Sequence, residues 1–242
     1  LTETSPVLSV RRMERLIPGT VGPLIAGTEY KLIDLEGRDV TRIPGAKGTL
    51  HVRGPQIMQG YYKNPKKTAE VLTPDGWFNT GDLVVMNYSG EISIVGRSKD
   101  TLVLVGGENV EPTPIEEKLK ESPFIDHVML VSRAFGEDQK VLGALIVPNA
   151  ENLAEWCKKN NIPGDLAHWV KDTKVMAMYR SEMNKLINNE NGFKNFEKIG
   201  TFALLKKPFE QGDELNNTLK VRRHVVNEKY EKLINDMYAA TN

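Results

Sequence analysis

The sequence predicts an α+β fold in two parts: a β-rich front over residues 1–98 and a small α+β back over residues 99–242, with a helical elaboration at about 151–190. Three observations carry this. Between Val21 and Val95, short runs such as EYKLID, GTLHVRG and GEISIVG are separated by Gly, Pro, Asn and Asp, the pattern of strands joined by tight turns. Past Gly96 the character changes to strands interleaved with helix starts, so a boundary is expected at Ser98–Lys99. Beyond residue 150, Leu153, Trp156 and Cys157 fall at i, i+3 and i+4, the spacing of one helix face.

Each element follows in order. In YYKNPKKTAEVL, Asn64-Pro65 opens a short helix bearing Thr68, Ala69, Val71 and Leu72, read as a surface connection. The stretch from Ile94 to Ser122 gives a strand, a charged turn, a second strand, a Gly-Gly loop and a helix starting around Thr113–Pro114. HVMLVSR and VLGALIVP read as neighbouring strands flanking the polar turn FGEDQK. Ile162-Pro163-Gly164 breaks the helical elaboration, and a second amphipathic run continues through Leu186. The chain closes with a strand, TFALLKKP, a polar loop, EQGDELNNTLK, and a helix from Val221 to Met237 with Val225, Val226, Leu233 and Met237 apolar.

Composition removes several function classes. Lys plus Arg and Asp plus Glu are 32 each, so no field of one sign favours nucleic acid or an anionic membrane in bulk. Cys157 stands alone and suits a reducing, cytoplasmic compartment. His51, His127, His168 and His224 lack metal-ligand spacing, so any metal is expected to arrive with a nucleotide. No run approaches the roughly 20 apolar residues that cross a bilayer. Opening on LTETSP without a methionine, the chain is expected to be part of a longer one.

Candidate chemistry is scattered. Asp82, in GWFNTGDLV, has a carboxylate able to accept two hydrogen bonds from a ribose diol, although an aspartate there caps a turn equally well. Arg97 offers a permanently charged fork to ribose or phosphate oxygens, or to a surface carboxylate. Gly106 and Gly107 allow close backbone approach of a thin ligand arm, or simply a turn. Lys220 follows the flexible polar loop and precedes two arginines, placing it either to deliver an ammonium or to stay solvated.

The order of the motifs binds these signals together. LTETSP, GTLHVRGPQIMQGYYKNPKKT, DGWFNTGDLV, VGRSKDTLVLVGGENVEPTPIEE and NNTLKVRR resemble the successive signatures of adenylate-forming enzymes, and GGENVEPTPIE and NTLKVRR resemble long-chain fatty acyl-CoA synthetases most. The chain departs from the family's frequent Gly-Glu-Leu at Gly48-Thr49-Leu50, and from its Thr-Pro-Thr at Asn216-Asn217-Thr218.

The resemblance implies an ATP-dependent fatty acid:CoA ligase that forms an acyl-adenylate and then a thioester, with ATP, Mg²⁺, CoA and a fatty acid as its ligands. It assigns Glu3 to Mg²⁺, Thr2 to the nucleotide phosphate, Asp82 and Arg97 to the ribose, and Lys99 to the hinge of a rotating small domain. Lys220 would bridge the carboxylate and α-phosphate, and the Gly106-Gly107 loop would meet the pantetheine arm of CoA. The family's Ser/Thr/Gly-rich phosphate loop is not in this sequence, so the segment alone is expected not to adenylate. Two alternatives stay open: an acyl-AMP ligase that transfers to a carrier protein, and a non-catalytic binding fragment of the same fold. A long acyl substrate also keeps peripheral membrane contact open.

Overall fold

The computed structural model describes residues 1–104, 106–132 and 141–240, and the expected turn FGEDQK lies outside them. The chain divides into two compact units, Leu1–Thr101 and Leu102–Asn242.

The first unit holds an antiparallel sheet of β1 (Glu29–Ile33), β2 (Lys47–Arg53), β3 (Phe78–Met86) and β4 (Ile92–Arg97), in that order. Leu32, Leu50, Val52, Phe78, Val84 and Ile92 share its core. Facing ends are tied by charge: Arg53 on β2 is the register partner of Glu29 on β1, and its guanidinium bonds that carboxylate at 2.6 Å. Helix α1 (Pro65–Val71) starts as its sequence requires, with Asn64 accepting from the Lys67 N–H and proline in the first turn. Its residues are all at least partly exposed.

The second unit begins with a small hairpin, β5 (Leu102–Val103) with β6 (Asn109–Val110), and then α2 (Pro112–Leu119). Strands β7 (Ile125–Val131), β8 (Leu142–Pro148) and β9 (Ile199–Leu204) form a sheet in the order β7-β8-β9. The β7–β8 pair is antiparallel and the β8–β9 pair parallel. A parallel pair needs a long crossover. Here the helical elaboration supplies it, as α3 (Ala150–Lys159), α4 (Leu166–Trp169) and α5 (Thr173–Leu186).

Every residue of the central strand β8 is buried, as expected of a strand covered on both faces. Strand alternation sends Val128, Leu130, Ala144 and Ile146 to a core shared with Leu153, Tyr179 and Met183 of the crossover. Their neighbours Met129, Val131, Leu145 and Val147 join Val226, Ile234 and Tyr238 on the other face. Gly143 leaves room for a close approach: a Cβ there would sit 2.6 Å from the Tyr238 hydroxyl, which donates to the Val131 carbonyl.

The single helix expected over Val221–Met237 is two, α6 (Arg223–Lys229) and α7 (Glu231–Ala239), broken at Tyr230. Successive residues of an unbroken helix point about 100° apart. The break lets adjacent Lys229 and Tyr230 both reach one buried carboxylate, Glu214, at 2.7 and 3.1 Å. The final strand also starts earlier than expected, at Ile199, and ends at Leu204. Among the described residues no helix is long and apolar enough to cross a membrane.

Candidate functional site

The TGD segment is an irregular stretch within β3, shaped by its own side chains. Thr80 is buried; its hydroxyl donates to the Leu50 carbonyl and accepts from the Asp82 N–H, while Asn79 accepts from the Gly81 N–H. Gly81 adopts φ 70°, a conformation that favours glycine, and just beyond it the β3–β4 register shifts. Asp82 thereby comes opposite Arg97 as its register partner, with Arg97 Nε 3.0 Å from Asp82 Oδ1. Arg97 also donates to the Thr80 carbonyl at 2.9 Å, which ties the guanidinium to the bulged stretch of β3. Asp82 is 19% and Arg97 50% exposed, so the pair lies at a surface where an incoming hydroxyl or phosphate can share it.

Lys99 is exposed in the turn after β4, which is held by the Ser98 N–H on the Gly81 carbonyl and the Asp100 N–H on the Arg97 carbonyl. Thr2 and Glu3 lie in a short 3-10 helix, Thr2–Thr4. The Glu3 carbonyl accepts from the Met58 N–H, and its carboxylate accepts from the Tyr61 hydroxyl at 2.9 Å. Burial, and then this carboxylate, push the Tyr61 hydroxyl up from its ordinary range. Tyr61 is therefore a partner of Glu3 that sequence reading passed over. Its signal was the YYKNP run, which gave no reason to prefer one tyrosine.

In the second unit, Gly106 and Gly107 turn the β5–β6 hairpin, closed by the Gly107 N–H on the Leu104 carbonyl. Gly107 has φ 83°, and a Cβ on Gly106 would fall 2.3 Å from the Glu108 carboxylate. The loop carrying Lys220 is organised from beneath. Glu214, only 1% exposed, accepts from the Glu210 N–H, Lys229 and Tyr230, and the Arg222 N–H closes on its carbonyl. Above this anchor, Asn216 Oδ1 accepts from Thr218 and from the Lys220 N–H, while Leu219 takes φ 59°. Lys220 emerges exposed, and its ammonium makes no ion pair among the described residues. Just beyond it, Arg223 bonds Glu116 of α2 and the Leu130 carbonyl of β7, fixing the start of α6. Glu214 was missed because a carboxylate in a polar loop reads as solvated; its cation, Lys229, is distant in sequence.

Of the expected residues, Asp82 and Arg97 are joined directly, Glu3 has its own partner in the first unit, and Lys220 and Gly106–Gly107 occupy separate loops of the second. No group of three or more His, Cys, Asp or Glu side chains that could hold a metal ion occurs among the described residues. Glu3 instead offers one carboxylate, which fits Mg²⁺, since that ion commonly takes one or two protein carboxylates beside phosphates and water.

Comparison with known proteins adds family context. The profile of AMP-binding enzymes matches residues 1–62, and that of the AMP-binding enzyme C-terminal domain matches residues 99–242. The chain is 37% identical over 250 residues to a long-chain-fatty-acid acyl-carrier-protein ligase of Arabidopsis thaliana, chloroplastic, covering 99% of this chain and 32% of that protein. It is 32% identical over 245 residues to a long-chain-fatty-acid CoA ligase of Mycobacterium tuberculosis, covering 98% and 37%. Its fold matches the A domain of a carboxylic acid reductase from Segniliparus rugosus in complex with AMP and a co-purified carboxylic acid, with TM-score 0.74 and 28% identity over 91% of this chain and 33% of that one. The chain spans about a third of the length of the curated relatives it matches.

Proposed function

Because the chain belongs to the AMP-binding enzyme family, whose members are adenylate-forming ligases, we propose that it serves a long-chain fatty acid:CoA ligase. A fatty carboxylate oxygen attacks the α-phosphorus of ATP; the new O–P bond forms as the bond to pyrophosphate breaks. The CoA thiol then gives up its proton, its sulfur bonds the acyl carbon, and AMP leaves with the oxygen.

The observation that carries this reading is the Asp82–Arg97 pair, which joins the middle of β3 to the end of β4. Asp82 accepts the ribose hydroxyls, and Arg97 holds that carboxylate while sharing its remaining N–H groups with the nucleotide. Glu3, oriented by Tyr61, would hold Mg²⁺, whose charge when bound offsets that of the phosphates. Thr2 approaches the phosphates beside it. Lys220, presented on the Asn216 loop, brings an ammonium to the charge that develops on the α-phosphate. Lys99 is the proposed hinge, and Gly106–Gly107 the proposed passage for pantetheine, where a side chain would narrow the approach.

A second reading, transfer to a carrier protein, is favoured by the 37% identity to an acyl-carrier-protein ligase. The test uses the full-length protein with ATP, Mg²⁺ and fatty acids, offering CoA and a phosphopantetheinylated carrier in separate reactions. Acyl-CoA formation supports the proposal, and thioester on the carrier alone supports the second reading. No adenylate with any acid would leave a non-catalytic binding protein.

A further inference from the structure

Strand β9 is one of the two outer strands of its sheet, and a groove of about 810 Å³ runs along it. Phe202, Ala203 and Leu204 form its floor. One wall comes from Val170, which follows α4, and Met176 near the start of α5, the other from Leu233 and Met237 of α7. The volume is that of a small-molecule site, and the lining is mainly apolar.

The rim is not neutral. Lys171, Lys206 and Lys207 are exposed there, and among the described residues none makes an ion pair. Against them the described lining offers one carboxylate, Asp236. Arg180 is already engaged: it donates to the Ile199 and Gly200 carbonyls at 2.6 and 3.0 Å and lies over the Phe202 ring. It thus caps the start of the strand edge and leaves the apolar stretch beyond it open. A second copy of the chain would bring two lysine rims together, a like-charge arrangement that opposes pairing.

An alkyl chain satisfies the floor and walls, and an anion satisfies the rim. We propose that this groove binds a single-chain anionic amphiphile, with its alkyl chain along β9 and its carboxylate or phosphate head at the rim lysines. The proposal stands apart from the ligase reading, because the groove shares no residue with Thr2, Glu3, Asp82, Arg97 or Lys220.

The experiment titrates the 242-residue chain with laurate, dodecyl phosphate and neutral dodecanol, each kept monomeric, by calorimetry and by spectra of ¹³C-labelled methionine methyls. The expected result is saturable binding of one laurate or dodecyl phosphate per chain. Met176 and Met237 should shift while Met58 and Met86 of the first unit stay, and dodecanol should bind about tenfold more weakly. A preference for laurate identifies a fatty acid site; a preference for dodecyl phosphate identifies a lipid-phosphate site. The double variant Lys206→Glu/Lys207→Glu, at exposed positions, should weaken both anions about tenfold or more. Ala203→Trp should abolish binding by filling the floor, with its circular dichroism checked. Absence of saturable binding, equal affinity for dodecanol, or affinity unchanged in the double variant overturns the proposal, and leaves the open strand edge to a peptide or to another protein.

Discussion

Arg97 on β4 stands opposite Asp82 on β3, its Nε 3.0 Å from Asp82 Oδ1, while a second guanidinium nitrogen holds the Thr80 carbonyl. The arginine thus fixes both the carboxylate and the bulged stretch of β3 that presents it. With Arg97 half exposed, the ion pair contributes little to stability, on the order of 1 kcal/mol or less.

Replacing Asp82 should therefore cost nucleotide binding more than folding. Asp82→Ala in the full-length protein is expected to weaken ATP by about 10- to 100-fold, the loss of charge-assisted hydrogen bonds. The urea midpoint should move little. Equilibrium nucleotide binding beside a denaturation curve checks both halves.

Gly106 and Gly107 make a paired test, because a methyl group acts differently at each. Gly107→Ala meets no atom within 4 Å but must hold φ 83°, costing about 1 kcal/mol. Gly106→Ala has no such backbone cost and displaces only the Glu108 carboxylate, the far end of a flexible side chain, so it should be the less disruptive to folding. Both should slow thioester formation from preformed acyl-adenylate more than they slow adenylation. Single-turnover assays of the two half-reactions decide this.

Much of this architecture was legible beforehand, for a local reason. Strand alternation and helical spacing are short-range signals, so β7, β8, the broken crossover and the Asn64-capped helix could be read directly. The break at Tyr230 could not, because its partner Glu214 is 16 residues away and looks like an ordinary loop acid. The site divides the same way. Asp82 and Arg97 were individually weak candidates, and their pairing depends on a strand register displaced by a bulge, which no local pattern specifies.

Glu214 makes the Lys220 loop sensitive to acid. Burial alone would raise its carboxyl, but Lys229, the surrounding N–H groups and Tyr230 outweigh burial and hold it below the ordinary glutamate range. The folded value lies below the unfolded one, so this contribution is fully present above roughly pH 4.3 and is lost as pH falls through the folded value. Glu214→Gln should lower stability at pH 7 by about 2 kcal/mol, the worth of hydrogen bonds to a charged group, and lose less than the parent on acidification below about pH 4. Urea unfolding at both pH values gives the comparison.

The most direct test separates the two half-reactions in a Lys220→Ala variant of the full-length protein. Lys220 is exposed, so stability should change by less than about 0.5 kcal/mol. Adenylation, followed as pyrophosphate release, should fall about 100-fold or more, while preformed acyl-adenylate is still converted to thioester at the parent rate. Undiminished adenylation in the variant would contradict the role given to this lysine and, with it, the central claim.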